Sequence, residues 1–295
     1  MKLPMTIGKQ MKILKDTRMK RNLAILCLIA ATALSALQVA QKDSIPAADL
    51  LEAANFCGMK NTAFSDGESL TIKVYYSALG IYVQAGTLTL TTNQTTLNGK
   101  PVYHAKAYGR TLSSYDWIFK VRDSYETYMT TTDLQSQKFV RSVQEGKYTS
   151  NENYTFNNTA NTVTSSNKTI KVPDCTLDVV AAVYNARNID YAKYSAGQKI
   201  PFTIVIDEKV HNLYIRYAGK ETVSTKFGKF KAIKVKPLLV KGNTFSGGEK
   251  MTIWFSDDGN RVPLRIESAL SVGSVKADLM GYSNLRYKDL NSRVN

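Results

Sequence analysis

Between residues 66 and 92 the chain alternates apolar and polar side chains with a period of two. Leu70, Ile72, Val74 and Tyr76 fall on one side and Thr71, Lys73 and Tyr75 on the other, the pattern of a half-buried strand. A second run follows a turn at Gly80. In it Tyr82, Leu88 and Leu90 share one face, opposite Val83, Ala85, Thr87 and Thr89. Gly86 lies inside that run and predicts a bulge or a close backbone approach. The two runs read as the founding hairpin of a large antiparallel sheet. Asn98-Gly99 marks the next turn, and residues 101–107 a third strand. Tyr115, Trp117, Phe119 and Val121 then alternate with Asp116, Ile118, Lys120 and Arg122, which predicts a strand whose aromatic row is a core ridge. Strands are expected again at 125–131 and 139–145. Residues 147–170 are rich in Asn, Thr and Ser; they predict exposed strands joined by Asn turns, in the manner of a projecting hairpin.

After Pro173 the spacing becomes helical. Leu177, Val180, Ala181 and Tyr184 recur every three to four residues. Asp174 or Thr176 is the candidate cap, and Asp178 suits the first turn. The strand pattern returns at 199–207, 210–218, 220–225, 230–240, 250–256, 262–270 and 272–281, with turn signals between. No Pro/Ser/Gly linker separates the halves. Residues 63–287 therefore read as a single β-rich domain, preceded by an N-terminal segment at 41–62 with a short helix at 47–55, and followed by a tail at 288–295. The expected fold is all-β and mainly antiparallel, an open or curved barrel or a sandwich, with one packed helix near 174–187.

The N-terminus changes where this fold is expected to work. Lys20 and Arg21 precede an apolar run from Leu23 to Val39 that ends in small residues, the layout of an export signal. Cleavage fits after Ala33, Ser35 or Ala40, and translation from Met19 would give a leader of ordinary length. A retained membrane anchor is the rival reading, although the run is close to the minimum of about 17 residues for spanning a bilayer. Residues 1–40 carry seven Lys/Arg and one Asp, so the net charge of +15 falls to +9 beyond them. That balance favours anionic surfaces in general. The strand lysines Lys226, Lys229, Lys231, Lys234 and Lys236 look like a wetted sheet face, and no RNA-binding aromatic signature accompanies them. Nucleic acid is not an expected partner. Cys27 lies early in the apolar run with a bulky residue before it, so lipoprotein processing is not expected. Cys57 and Cys175 remain, and two cysteines in an exported chain suggest one disulfide.

Catalytic chemistry is thinly represented. Only His104 and His211 are present, and no zinc, phosphate-loop or nucleophile-elbow motif occurs. No metal or cofactor is expected. Asp257-Asp258-Gly259-Asn260 reads as a hairpin turn before it reads as a cation loop. Asp116, Asp123 and Glu126 near Arg122 are candidate acid–base carboxylates, with surface ion pairing as their plainer role. Arg216 and Arg265 are candidate anion contacts.

Three stretches together resemble an exported bacterial family, domain of unknown function 3108. They are D-G-E-S-L-T-I-K-V-Y-Y with its A-G-T-L partner (66–88), F-K-V-R-D-S-Y-E-T-Y (119–128), and W-F-S-D-D-G-N-R-V-P-L-R-I-E followed by G-S-V-K-A-D-L (254–279). The resemblance spans roughly residues 60–287. It implies a predominantly β envelope protein and transfers no catalytic residue. The leading expectation is a non-enzymatic periplasmic or cell-envelope protein that binds a hydrophobic, lipid-like ligand or an envelope component, with peripheral envelope association. Tyr76, Tyr82, Trp117, Phe119 and Trp254 are the expected ligand-lining residues. The alternatives are a hydrolase or glycan-active enzyme using carboxylates, and a structural or assembly partner.

Overall fold

A computed structural model describes residues 56–77, 81–117, 119–240, 247–270 and 273–294. The leader region with Cys27 and the expected helix at 47–55 lie outside the described residues. The founding hairpin is present as β1 (Glu68–Ser77) and β2 (Tyr82–Leu97). The register slips between Val74 and Tyr75, which face Gly86 and Gln84, so Ala85 is the extra residue of a bulge beside Gly86. The bulge reverses the parity of the strand, which is why Ala85 is buried although it shares a pattern with exposed Val83.

From that hairpin the chain meanders outward through β3 (Lys100–Thr111), β4 (Val121–Thr130), β5 (Ser136–Glu145), β6 (Tyr148–Asn157), β7 (Thr162–Thr164) and β8 (Thr169–Lys171). It then crosses to the far edge and meanders inward through β9 (Lys199–Ile206), β10 (Lys209–Thr225), β11 (Gly228–Pro237), β12 (Met251–Ser256), β13 (Pro263–Ala269) and β14 (Ser274–Ser283). The order across the sheet is β8-β7-β6-β5-β4-β3-β2-β1-β14-β13-β12-β11-β10-β9, and a short β15 (Arg293–Val294) pairs with β11. The two halves thus share one antiparallel sheet, joined where β1 pairs with β14. The polar stretch at 147–170 is the edge of this sheet and not a projecting hairpin. Its Tyr154, Phe156 and Val163 are buried.

One helix, α1 (Val179–Arg187), fills the crossing between the two edges. It touches β3, β4 and β9. β9 lies far from the neighbouring β3 and β4 in sheet order, so the sheet must curl around the helix to meet it. The strand ladder does not close. Leu177 instead bridges to Ile204 on the β9 edge, with its N–H on the Thr203 carbonyl (3.0 Å) and its own carbonyl taking the Val205 N–H (2.9 Å). Farther along the seam Arg141 Nη1 reaches Asp207 (2.8 Å), and the Tyr154 hydroxyl accepts the Glu208 N–H (2.9 Å).

Both ends of α1 are anchored by buried charge. The helix cap is Asp178, not Asp174 or Thr176. Its Oδ1 accepts the Val180 and Ala181 N–H groups, both at 2.9 Å, and its Oδ2 accepts the Thr127 and Ser136 hydroxyls at 2.6 and 2.7 Å. Thr176 is engaged with the Pro173 carbonyl, and Asp174 with Asn161. At the other end Arg187 donates to both Glu68 oxygens (2.6 and 2.9 Å) and to the Asn260 carbonyl (3.0 Å). A cation suits this helix end, and the bridge ties α1 to the start of β1 and to the β12–β13 turn.

The expected disulfide joins Cys57 to Cys175 across 118 residues, with the Cα atoms 5.3 Å apart. It fastens the entry to the sheet beside the entry to α1. Cys57 is exposed, so a reductant reaches the bond. Reduction should lower the unfolding free energy by about 2–4 kcal/mol, the usual worth of a long-loop crosslink. Urea melts with and without reductant would show it, and coincident midpoints would deny the bond this role.

Candidate functional site

An apolar cavity of about 120 Å³ lies between α1 and the second half of the sheet. The helix supplies Val179, Ala182, Val183 and Ala186. Their i, i+3, i+4, i+7 spacing is a second apolar stripe, distinct from the expected Val180, Ala181 and Tyr184, which are buried. A helix apolar on both faces is one enclosed on both faces. The opposite wall comes from alternate residues of neighbouring strands: Phe202 and Ile204, Leu213 and Ile215, Met251, Ile253 and Phe255. Period two puts each pair on the concave side of the sheet. The end of β11 and the segment after it, Pro237 to Val240, complete the lining. Of these, Pro237, Leu238 and Val240 are only half-buried, as are Val179, Val183 and Ile253, so the cavity reaches solvent beside them. Among the described residues no charged side chain lines it. The arrangement can hold hydrocarbon.

None of the five aromatic residues expected to line a ligand is in this wall. Trp254 alternates out of step with Ile253 and Phe255, so it stands on the outer face. There its indole N–H donates to Glu221 and the Lys234 ammonium sits 5.5 Å from its ring. Tyr76 is buried beside the β13–β14 turn, where a Cβ on Gly273 would stand 3.0 Å from its hydroxyl. Tyr82 is half exposed, and its hydroxyl lies 3.1 Å from that of Ser274. Phe119 packs its ring on Gly146, and Trp117 is 69% exposed. The strand expected through Tyr115, Trp117 and Phe119 is absent. Ser113–Tyr115 forms a 3₁₀ turn, Thr111 and Arg122 hold the Asp116 carboxylate, and β4 begins only at Val121.

The acid–base candidates do not converge. Asp116 pairs with Arg122 at 2.5 Å, and Glu126 with His104 and Lys106, both at 2.9 Å. Asp123 points the other way, into the interior, where it is fully buried. Its Oδ1 takes the Gln144 N–H at 3.0 Å and its Oδ2 has no partner. Glu145 and Arg141, on the same face of β5, also keep buried atoms without partners. Burial, reinforced by the nearby Glu145 charge, pushes the Asp123 carboxyl up to about 8, and burial pushes Glu145 up to about 7. With no exposed surface, Asp123 has no route to a substrate. Arg216 and Arg265 are not open anion contacts. Glu249 holds the first at 2.6 Å and Asp278 the second at 2.6 Å. The 257–260 stretch forms the β12–β13 turn, with Asp258 accepting the Ser256 hydroxyl and the Asn260 N–H.

Comparison with known proteins agrees with this reading of the fold. The model of a protein family of unknown function, DUF3108, matches residues 71–280. No curated protein matches the chain. A crystal structure described as a β-barrel-like protein of domain of unknown function DUF1849 from Brucella abortus is similar, with a TM-score of 0.52, 12% identity, and coverage of 75% of this chain and 99% of that one. At that identity the likeness is one of fold. A putative exported protein with a YmcC-like fold from Bacteroides fragilis (TM-score 0.31, 10% identity, 75% of this chain and 97% of that one) and the Mycobacterium tuberculosis lipoprotein LppX (TM-score 0.23, 10% identity, 84% of this chain and 100% of that one) are matched too loosely to bear on the question.

Proposed function

We propose that this chain, which belongs to the DUF3108 family of proteins of unknown function, is an exported envelope protein that takes the hydrocarbon end of a lipid-like ligand into the cavity between α1 and β9–β13. The observation that carries this reading is the lining, apolar throughout and half-open at Pro237–Val240. The leader-like N-terminus and the crosslink between Cys57 and Cys175 support an oxidising compartment.

Size narrows the ligand. A dry engineered cavity of about 150 Å³ accepts benzene, so 120 Å³ takes a ring-sized group or a few methylenes. At about 0.8 kcal/mol per buried methylene, five would contribute roughly 4 kcal/mol, equivalent to a dissociation constant near millimolar. The cavity therefore holds a chain end weakly and reversibly, and it does not swallow a whole lipid. Filling it should abolish uptake. Ala186→Phe puts a ring into the space, and Ala182→Leu fills it less drastically. Titration with a fluorescent fatty acid should show at least tenfold weaker binding in whichever variant keeps the parent circular dichroism and melting behaviour. Undiminished uptake by a folded, filled variant would place the ligand elsewhere.

A further inference from the structure

An antiparallel meander sends every connection that leaves an odd-numbered strand to the same end of the sheet. Five of the six exposed large apolar side chains among the described residues sit at that end. Ile81, Tyr82 and Val83 begin β2, Trp117 is on the β3–β4 connection, and Tyr148 starts β6. Ile81 and Trp117 are the most exposed, at 75% and 69%. The sixth, Tyr287, packs on Gly259 at the opposite end. Arg110, Lys120 and Lys147 are exposed among these aromatic tips, and none is within ion-pair distance of a carboxylate among the described residues. The carboxylates of this rim are already matched: Asp116 by Arg122, Asp207 by Arg141, Glu208 by Lys168 and Glu249 by Arg216. Glu145 turns a carboxyl oxygen inward. The net charge presented by the β1–β6 side of the rim is therefore positive.

We propose that this rim is a docking face for an anionic lipid bilayer. Trp and Tyr prefer the headgroup level, where an apolar ring and a polar edge are both satisfied. Ile81 and Val83 supply short apolar anchors. Each Lys or Arg held near an anionic surface adds to the attraction, and salt screens that share. A protein partner would be met by a flatter apolar patch. Here the apolar side chains are tips on separate connections with cations between them, which suits a fluid charged surface. No helix among the described residues is long and apolar enough to cross a membrane. The face goes beyond the ligand reading and stands without it. Both meet at one point, since the half-open side of the cavity lies in the β11–β12 connection, at the same end of the sheet.

The two tryptophans give a direct test. Trp117 is exposed and Trp254 is buried. Adding vesicles of phosphatidylcholine with phosphatidylglycerol to the leader-free protein should blue-shift the Trp117 emission and carry the protein into the pellet on centrifugation. Phosphatidylcholine alone should do neither, and high salt should reverse the effect. Trp117→Ser, and separately Lys120→Glu with Lys147→Glu, should each weaken vesicle binding at least tenfold while leaving circular dichroism unchanged. The filled-cavity variant Ala186→Phe should bind vesicles like the parent, so failure of the ligand reading and failure of this one give different results. No emission shift with anionic vesicles, or full binding by the charge-reversed variant, would overturn the proposal. So would a concentration-dependent dimer that Trp117→Ser abolishes in the absence of any vesicle binding, because it would assign the rim to a second copy of the chain.

Discussion

Glu68→Ala should cost the protein about 3–5 kcal/mol of stability, the penalty for stranding one member of a buried ion pair. Both partners are 1% exposed, so the Arg187 guanidinium left behind has no water to turn to. It keeps the Asn260 carbonyl at 3.0 Å, the Ala63 carbonyl at 3.4 Å, and the rings of Phe64 and Tyr184 at 5.6 and 5.4 Å. None of these carries a charge, and the Asp258 carboxylate acts on it only through space. The loss should also be local in kind, since the bridge joins the end of α1 to the first residue of β1. Replacing both partners, Glu68→Leu with Arg187→Met, should recover most of the loss, because an apolar pair needs no mutual charge. Urea denaturation of the three proteins measures this. A single Glu68→Ala variant within about 1 kcal/mol of the parent would show that the pair is not sequestered as described.

Stability should fall as pH rises from about 5 to 8, against the usual trend of carboxylate-rich proteins. Asp123 sits at about 8, Glu145 at about 7 and Asp178 at about 6 in the folded state, each raised chiefly by burial. In the unfolded chain all three titrate near 4. Between those limits the folded state holds protons that the unfolded state has released, so each added pH unit costs up to about 1.4 kcal/mol for every such group. Groups lowered by their partners, such as Asp116 beside Arg122 and Glu249 beside Arg216, act in the opposite sense. Their stabilisation is present above the unfolded carboxylate range and lost only in acid, so they do not offset the slope above pH 5. Asp123→Asn keeps an acceptor for the Gln144 N–H and removes the proton. It should leave stability at pH 5 within about 1 kcal/mol and flatten the decline above it by roughly one proton's worth. Equal slopes for parent and variant would mean that Asp123 ionises freely in the fold.

The founding hairpin, the bulge at Gly86, the turns between 207 and 210, between 225 and 230 and at 257–260, and the end of the helix near Arg187 are legible because each rests on local spacing or backbone chemistry; the separate strands expected at 210–218 and 220–225 are instead one strand, β10, whose register slips between Tyr217 and Lys220. The error at 115–121 has an equally local cause. Tyr115, Trp117 and Phe119 alternate as a strand would, but the preceding Ser113-Ser114 and the Asp116 side chain favour a turn, and hydrogen bonds to Asp116 from Thr111 and Arg122 settle the competition. β4 buries Asp123, Tyr125 and Thr127 and begins four residues before the strand expected at 125–131, because a charged residue on the inner face interrupts the hydrophobicity pattern there. Arg141 and Arg187 escaped notice for the same reason, since nothing in their neighbourhood reveals partners 66 and 119 residues away. The five large aromatics named as lining stand outside the cavity wall; its helix face is built from Val179, Ala182, Val183 and Ala186, and the signal for it is the second apolar stripe of an all-round apolar helix.

The central position of β1 imposes an order of events. Ser69 pairs with Ser283 and Val74 with Ala277, so the strand made first takes its second neighbour from nearly the end of the chain. A polypeptide emerging from its N-terminus can zip β1 to β8 as it appears, yet one flank of β1 stays bare until β14 has been delivered. Long-range pairing of this kind is slow, and an uncovered strand is adhesive while it waits. Synthesis of this protein must therefore carry a vulnerable half-built sheet until nearly its end, and the arrival of β14 is what ends that exposure.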